Sequence, residues 1–281
     1  ALVAAGEFFS HPDDELLLLR GQPIGDIDEA LDAVPFLDAA RLEQGASAGG
    51  SNLIVLRHDV DRWTAQAVRM AEFERSLGIC ATYYFRSSRV GHFPVDAIQR
   101  IHALGHECGY HYETLSHYAG DRGRALDAFE SNLARFREIA PCTTVSAHGA
   151  PLSRHDNLAL LAEVDPGRFR LAGDAVHGFR GSHVVYFTDS GGAWNASSRR
   201  NFRDRFFDQA EGVPLPSSGQ DFERALVEST SLVYLTTHPE RWASNTALAV
   251  ICGIRDLVGL SVKAATGTFW RLRGGQELRS R

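Results

Sequence analysis

The feature that most constrains the fold is a short apolar run that ends in two carboxylates. Residues 53–56 are Leu-Ile-Val-Leu, and Arg-His-Asp-Val-Asp follows at 57–61. This pattern is typical of a buried strand, and parallel-sheet enzymes place their chemistry at the carboxyl ends of strands. Asp59 and Asp61 share a face of an extended chain, and like charges held that close need a cation or a shared proton. The stretch therefore predicts a metal site at a strand end.

The rest of the chain alternates between strand and helix patterns. The clearest helix is 122–139, where Leu126, Phe129, Leu133 and Phe136 trace one stripe. Such alternation predicts a mostly parallel sheet with right-handed crossovers. The other predicted helices are 63–77, 94–104 and a segment from 242 onward. The predicted strands are 53–58, 80–85, 143–147, 184–187 and 232–236, and a short segment at 107–111 lies between the second and the third of them.

The pattern also predicts three regions. Residues 1–50 form an N-terminal extension that ends in a small-residue stretch, 51–242 form the main (β/α) domain, and 243–281 form a C-terminal helix with a basic tail. An alternative for this last segment is contact with a membrane surface, but packing against the domain or a dimer contact is favoured.

Composition narrows the class of protein. The net charge of -6 and the pI near 6.1 argue against a dedicated nucleic-acid binder. No apolar run reaches the roughly 18 residues of a membrane span. The four cysteines are widely spaced without a CxxC pair, which indicates reduced thiols. A cytoplasmic location is expected, with a secreted or periplasmic one as the alternative.

Polar residues recur just after several predicted strands, where they would converge on one rim. Asp61, His111 and His148 could supply three ligands to one divalent ion, with zinc expected, that activates water. Asp59 would then be the proton acceptor, and His238 could protonate a leaving group.

Three segments carry a resemblance to a known family. His58-Asp59-Val60-Asp61 resembles the Asp-Asp motif of the polysaccharide deacetylase (NodB-homology) superfamily, and Gly-His-Glu-Cys-Gly-Tyr-His at 105–111 is similar to that family's metal-binding segment. Leu-Thr-Thr-His-Pro at 235–239 resembles the late strand that carries its catalytic acid. The segments 147–152 and 188–194 resemble most closely a His-Asp-Val-Asp branch found with bacterial surface-polysaccharide genes.

The resemblance implies a fold and an activity. The fold would be an irregular or incomplete (β/α) barrel. The activity would be metal-dependent hydrolysis of an N-acetyl or O-acetyl group from a sugar of a cell-surface polysaccharide or its precursor. The partner is then an acetylated carbohydrate. Two alternatives are an amidohydrolase of the same fold acting on a non-sugar amide, and a non-catalytic carbohydrate-binding relative.

One departure from the family pattern leaves the third ligand open. In the family, a second metal-binding histidine lies four residues after the one that corresponds to His111. Leu115 stands at that position in this chain. His148 is the favoured third ligand, although it falls near the position where the wider family has an arginine that tunes the catalytic aspartate. If His148 has that supporting role, Glu113, His117 or water must complete the metal site. His58 could simply shape the strand end or orient an aspartate.

Two further motifs bear on the substrate and on a rival family. Asp189, Trp194 and Arg203 are expected to contact the substrate, with an ordinary solvated or core role as the alternative for each.

The string at 11–15, His-Pro-Asp-Asp-Glu, matches the metal-binding string of a different, LmbE-like deacetylase family. It is also how a helix opens, with Ser10 as its cap, and that interpretation is favoured.

Overall fold

Seven parallel strands form the central sheet of this protein, for which a computed structural model describes residues 54–150, 153–179, 184–190, 216, 219–228, 233–242, 250, 251 and 254. The sheet curls into a half-barrel with the strand order β5-β4-β3-β2-β1-β7-β6. The predicted parallel α/β sheet is therefore confirmed. The strands are β1 Ile54–Val60, β2 Thr82–Arg86, β3 Glu107–Tyr112, β4 Thr144–Ala147, β5 Gly173–Asp174, β6 Val185–Thr188 and β7 Val233–Thr237.

Helices connect the strands on one face of the sheet. The three helices predicted between residues 63 and 139 are confirmed, with ends that differ by one or two residues. Sequence reasoning missed β5 and the four-residue helix Thr114–His117, because elements this short carry almost no periodicity. It also missed the ten-residue helix Gly219–Glu228. The predicted extension at 1–50 and nearly all of the segment after 242 lie outside the described residues. The helices are α1 Thr64–Ser76, α2 Val95–Ala103, α3 Thr114–His117, α4 Arg122–Arg137 and α5 Gly219–Glu228.

Helix α4 illustrates how the sequence specifies an element. Asp121 caps its first turn, because its carboxylate accepts a hydrogen bond from the Arg124 amide at 3.1 Å. Phe129, Leu133 and Phe136 lie on one face and are buried in the core. Burial of each such side chain contributes about 1.5–3 kcal/mol.

Strand β1 separates the hydrophobic core from a polar interior. Leu56 and Val60 belong to the core cluster between the sheet and the helices. Successive side chains of a strand point to opposite faces, so Arg57 and Asp59 lie on the other face. Both are nevertheless buried, at 3% and 5% exposure. The inner face of β1 therefore carries a buried charged pair close to the end of the strand.

The structure also describes the state of three cysteines and the lengths of the helices. Cys80, Cys108 and Cys142 are free thiols, and Cys252 lies outside the described residues. None of the described helices is long and apolar enough to cross a membrane.

Gly109 in β3 leaves room for an aromatic ring on the inner face. A Cβ atom at this position would lie 2.4 Å from Tyr84 Cε1 and 2.8 Å from the Thr144 carbonyl oxygen. The Tyr84 hydroxyl donates a hydrogen bond to Thr144 Oγ1 at 2.8 Å, and Arg57 Cζ lies 5.4 Å from the centre of its ring. Gly109 therefore allows Tyr84 to lie beneath the strand ends.

We expect Gly109→Ala to destabilise the protein by about 1–3 kcal/mol, because the methyl group displaces Tyr84 in a packed interior. The free energy of unfolding, from urea denaturation, is the measurement. Gly123→Ala is the matched control, since its Cβ would meet nothing closer than Asp121 Oδ1 at 3.7 Å. A Gly109→Ala protein as stable as the Gly123→Ala protein would contradict this packing.

Candidate metal centre

The three predicted ligands lie together at the carboxyl ends of their strands. His111 Nε2 lies 3.6 Å from Asp61 Oδ1, and His148 Nε2 lies 3.5 Å from Asp61 Oδ2. One ligand atom from each residue falls within 4.8 Å of the others, so a single ion could contact all three. This group is the place in the described residues where a metal ion could be held.

The sheet places these side chains by register. His111 in β3 pairs with Ser146 in β4, and the His148 amide continues this ladder by donating to the Tyr112 carbonyl at 2.8 Å. Asp61 follows β1 in a tight turn, in which its amide donates to the Asp59 carbonyl at 3.2 Å. Trp63 then adopts a left-handed conformation with φ of 46° immediately before α1. The turn therefore takes the chain from the strand directly into the helix.

The two imidazole rings are oriented from behind. His111 Nδ1 lies 3.0 Å from the Ser146 carbonyl oxygen, and His148 Nδ1 lies 2.8 Å from Glu113 Oε2. These acceptors place a proton on Nδ1 of each ring. Nε2, which faces Asp61, is then the atom free to bind a metal in the neutral ring. Such outer partners are a regular feature of histidines that bind metals.

Charge and hydrogen bonding at the centre fit a divalent ion. Among the described residues, Asp61 Oδ1 is buried and has no hydrogen-bond partner, which is costly for a carboxylate oxygen. Burial would raise the pKa of Asp61, but His148 and His111 hold it well below its usual range. Burial lowers the pKa of His111 to about 4, so its ring is neutral at pH 7. Burial would lower the pKa of His148, but Asp61 and Glu113 raise it above its usual value, so a metal ion that binds this ring would release a proton. An ionised carboxylate and imidazoles in their neutral form are a donor set that suits zinc and related ions.

Glu113 holds the centre from the second layer. Besides its contact with His148, it accepts a hydrogen bond from Arg86 at 2.6 Å, and its Oε1 lies 3.0 Å from His117 Nε2. Burial would raise the pKa of Glu113, but these partners lower it far below its usual range. His117 therefore lies behind the centre, and Leu115 is part of the hydrophobic core. Of the alternatives left open by the sequence, His148 is the one that joins Asp61 and His111.

Asp59 lies beside the centre and is paired with an arginine that sequence reasoning missed. Arg57 donates to both carboxylate oxygens, with Nε to Oδ1 at 2.9 Å and NH2 to Oδ2 at 2.6 Å. Asp59 Oδ2 also lies 3.6 Å from His111 Nε2. Burial would raise the pKa of Asp59, but Arg57 and then His111 lower it to about 2. The signal was available in the sequence, since Arg57 is two residues before Asp59 and shares its face of β1.

His238 and Asp189 form a second buried pair near the centre. His238 Nδ1 lies 2.6 Å from Asp189 Oδ1, and the His238 amide donates to Oδ2 at 3.0 Å. The indole of Trp242 also donates to Oδ2, at 3.1 Å. Burial would lower the pKa of His238, but Asp189 raises it to about 10. The ring of His238 therefore carries a positive charge at pH 7.

Of the three residues expected to contact the substrate, the structure describes only Asp189. Both carboxylate oxygens of Asp189 are engaged by His238 and Trp242, so the structure places it behind His238. Its contact with substrate stays a prediction. Trp194, Arg203 and the string at 11–15 lie outside the described residues.

Comparison with known proteins gives one distant similarity. No family model matches the chain, and no curated protein sequence matches it. The chain is similar to a solved structure of a mutant of a CE4 family pseudoenzyme with restored enzymatic activity, at 11% identity and a TM-score of 0.38. That similarity covers 76% of this chain and 64% of the other chain. A similarity this low says nothing about the function of this chain.

We expect Glu113→Gln to weaken zinc affinity by about 10- to 100-fold, because loss of the carboxylate leaves His148 less basic and less firmly oriented. Isothermal titration of the metal-stripped protein with Zn²⁺ measures this. Glu163→Gln, at an exposed position, is the control and should bind like the unaltered protein. Equal affinity in both variants would show that Glu113 does not support a metal ligand.

Proposed function

We propose that this protein is a metal-dependent deacetylase that hydrolyses an N-acetyl or O-acetyl group on a carbohydrate. The observation that carries the proposal is that one group of three candidate ligands lies close to a negatively charged Asp59 and a positively charged His238. The ligand group consists of Asp61, His111 and His148, and an ionised Asp59 lies beside it. A protonated His238 is close enough to lower the pKa of both Asp59 and Asp61. Hydrolysis of an amide needs such a pair, since one group must accept a proton and another must donate one.

The residues that would hold the ion are Asp61, His111 and His148. A bound divalent ion would supply Lewis-acid polarisation of the acyl carbonyl and would make water acidic enough for a weak base to deprotonate. Zinc is the ion we expect, because one carboxylate and two imidazoles with an open position are typical of catalytic zinc sites.

Asp59 is proposed as the proton acceptor. Its pairing with Arg57 keeps it ionised throughout the neutral pH range, so it is always in the accepting form. The pairing also fixes the carboxylate on the inner face of β1, close to His111. A base held in place from behind loses little entropy when it meets its water.

His238 is proposed as the proton donor to the departing amine or alcohol. Asp189 holds Nδ1, so Nε2 is the atom that can give up a proton to the leaving group. In the proposed reaction, the oxygen of a water that loses a proton to Asp59 forms a bond to the acyl carbon. His238 then gives a proton to the leaving nitrogen or oxygen as its bond to the acyl carbon breaks, which releases acetic acid, present as acetate at neutral pH, and the deacetylated sugar. Transfer of the proton from Asp59 to His238 restores both groups.

The carbohydrate substrate comes from the resemblance of the three motif segments to polysaccharide deacetylases. Trp194, Asp189 and Arg203 are the residues proposed to bind it, the first by stacking on a sugar ring and the last by pairing with an anionic group. Acetate release from a panel of acetylated sugars, set against a panel of small amides, tests this assignment. Turnover of the amides alone would point instead to an amidohydrolase acting outside carbohydrates.

We expect Asp59→Asn to reduce acetate release by at least about 10²-fold, because the amide cannot accept the proton. Zinc content should stay near that of the unaltered protein, since Asp59 is not one of the three ligands. Asp127→Asn, on an exposed helix position, is the control for the loss of one carboxylate. Loss of zinc in Asp59→Asn would instead make Asp59 a ligand and contradict its role as base.

The proposed acid also predicts a pH dependence. A donor must be protonated, so the rate should fall as the pH rises through the pKa of His238, which Asp189 raises. Asp189→Asn removes that negative charge, and the alkaline limb of kcat should therefore move to lower pH. The pH profile of kcat for this variant is compared with Asp165→Asn, an exposed substitution. An alkaline limb that stays in place would exclude His238 as the donor.

A further inference from the structure

A buried hydrogen-bonded network lies on the core face of the sheet, directly behind the candidate site. His58 Nδ1 lies 2.6 Å from Thr237 Oγ1, and His58 Nε2 lies 2.7 Å from Glu74 Oε1. The Tyr83 hydroxyl donates to the other carboxylate oxygen of Glu74 at 2.7 Å. All four side chains are at most 3% exposed. The network joins β1, β2, β7 and helix α1.

The composition of this network needs an explanation beyond stability. Of the two histidines near Glu74, His106 is 3.9 Å away, and its own ring nitrogens are engaged by the Ala71 carbonyl and the Ala81 amide. His58 therefore provides the close partner for a buried carboxylate. Well-packed apolar side chains in place of such a pair are often equally stabilising. A buried polar network of this kind is better explained by the geometry it fixes.

The network fixes the distance between the ends of two neighbouring strands, β1 and β7. His58 and Thr237 are register partners in the parallel pair of β1 and β7. His58 is followed by Asp59, and Thr237 is followed by His238. Successive side chains point to opposite faces of a sheet. A bond between His58 and Thr237 on the core face therefore sets the distance between Asp59 and His238 on the inner face. Glu74 anchors this bond to α1.

We propose that His58 and Thr237 are positioning residues whose hydrogen bond sets the separation of Asp59 from His238. The inference rests on the proposed function, in which these two groups are the proton acceptor and the proton donor. Neither His58 nor Thr237 is one of the proposed metal ligands or substrate-binding residues, and both side chains bond to each other on the core face. Their effect on the reaction is exerted through the backbone that they share with Asp59 and His238.

The test is the substitution Thr237→Val, which removes the hydroxyl and keeps the shape of the side chain. We expect kcat to fall by about 10- to 100-fold, since small displacements of reacting groups have effects of this size. KM and zinc affinity should stay unchanged, because the three ligands lie on other strand ends. Thr237→Ser keeps the hydroxyl and should restore most of the rate.

Thr236→Val is the matched control on the same strand. Thr236 is buried, and its hydroxyl has no hydrogen-bond partner among the described residues. Its loss should change kcat by less than about twofold. If Thr237→Val keeps the rate of Thr236→Val, or if Thr237→Ser loses as much as Thr237→Val, the proposal is overturned. If Thr237→Val does not fold, Tyr83→Phe loosens Glu74 with a nearly identical shape, and unchanged kcat in that variant would overturn it equally.

A second readout separates this proposal from the proposed function. The ¹⁵N resonances of the His238 ring report its position beside Asp189 whether or not any sugar is turned over. They should shift in Thr237→Val and stay in place in Thr236→Val. If the unaltered protein releases no acetate, the proposed function fails, and the shift alone decides the positioning role. Unchanged resonances in Thr237→Val would rule that role out.

Discussion

The two-residue alternation along β1 is the constraint on which the rest of the site depends. It directs Leu56 and Val60 into the core and Arg57 and Asp59 into the polar interior. A shift of one residue in the register of this strand would exchange the two sets. It would bury the charged pair against the helices and place apolar side chains beside the candidate metal centre. The pairing with β2 and β7 on either side holds that register.

Buried charge is the second organising feature, and it is balanced pair by pair. Arg57 neutralises Asp59, Asp189 neutralises His238, and the Glu113 carboxylate is met by Arg86. Asp61 differs, because one of its buried oxygens has no hydrogen-bond partner among the described residues. Arg86 NH1 lies 3.9 Å from that oxygen, which is too far for a hydrogen bond. Since a buried carboxylate oxygen without a hydrogen bond is costly, this difference is what points to a cation at that position.

The sequence predicted the parts of the fold and site that depend on local pattern. The strand end that carries Asp61 followed from an apolar run that stops at polar residues. The positions of His111 and His148 followed from the alternation of strands and helices, and three helices followed from their apolar stripes. The two-residue strand β5 gave too little pattern to find. The pairing of His148 with Glu113 also could not be predicted, because it joins residues 35 apart through the register of β3 and β4. Arg57 could have been recognised, since it shares a face with Asp59.

Anomalous scattering from crystals of the zinc-loaded protein would show directly which residues bind the ion. We expect one ion bound by Asp61, His111 and His148 together, with Asp59 still paired to Arg57. A zinc ion bound elsewhere would contradict this expectation. So would an ion whose third ligand is Glu113 or His117, with His148 turned away.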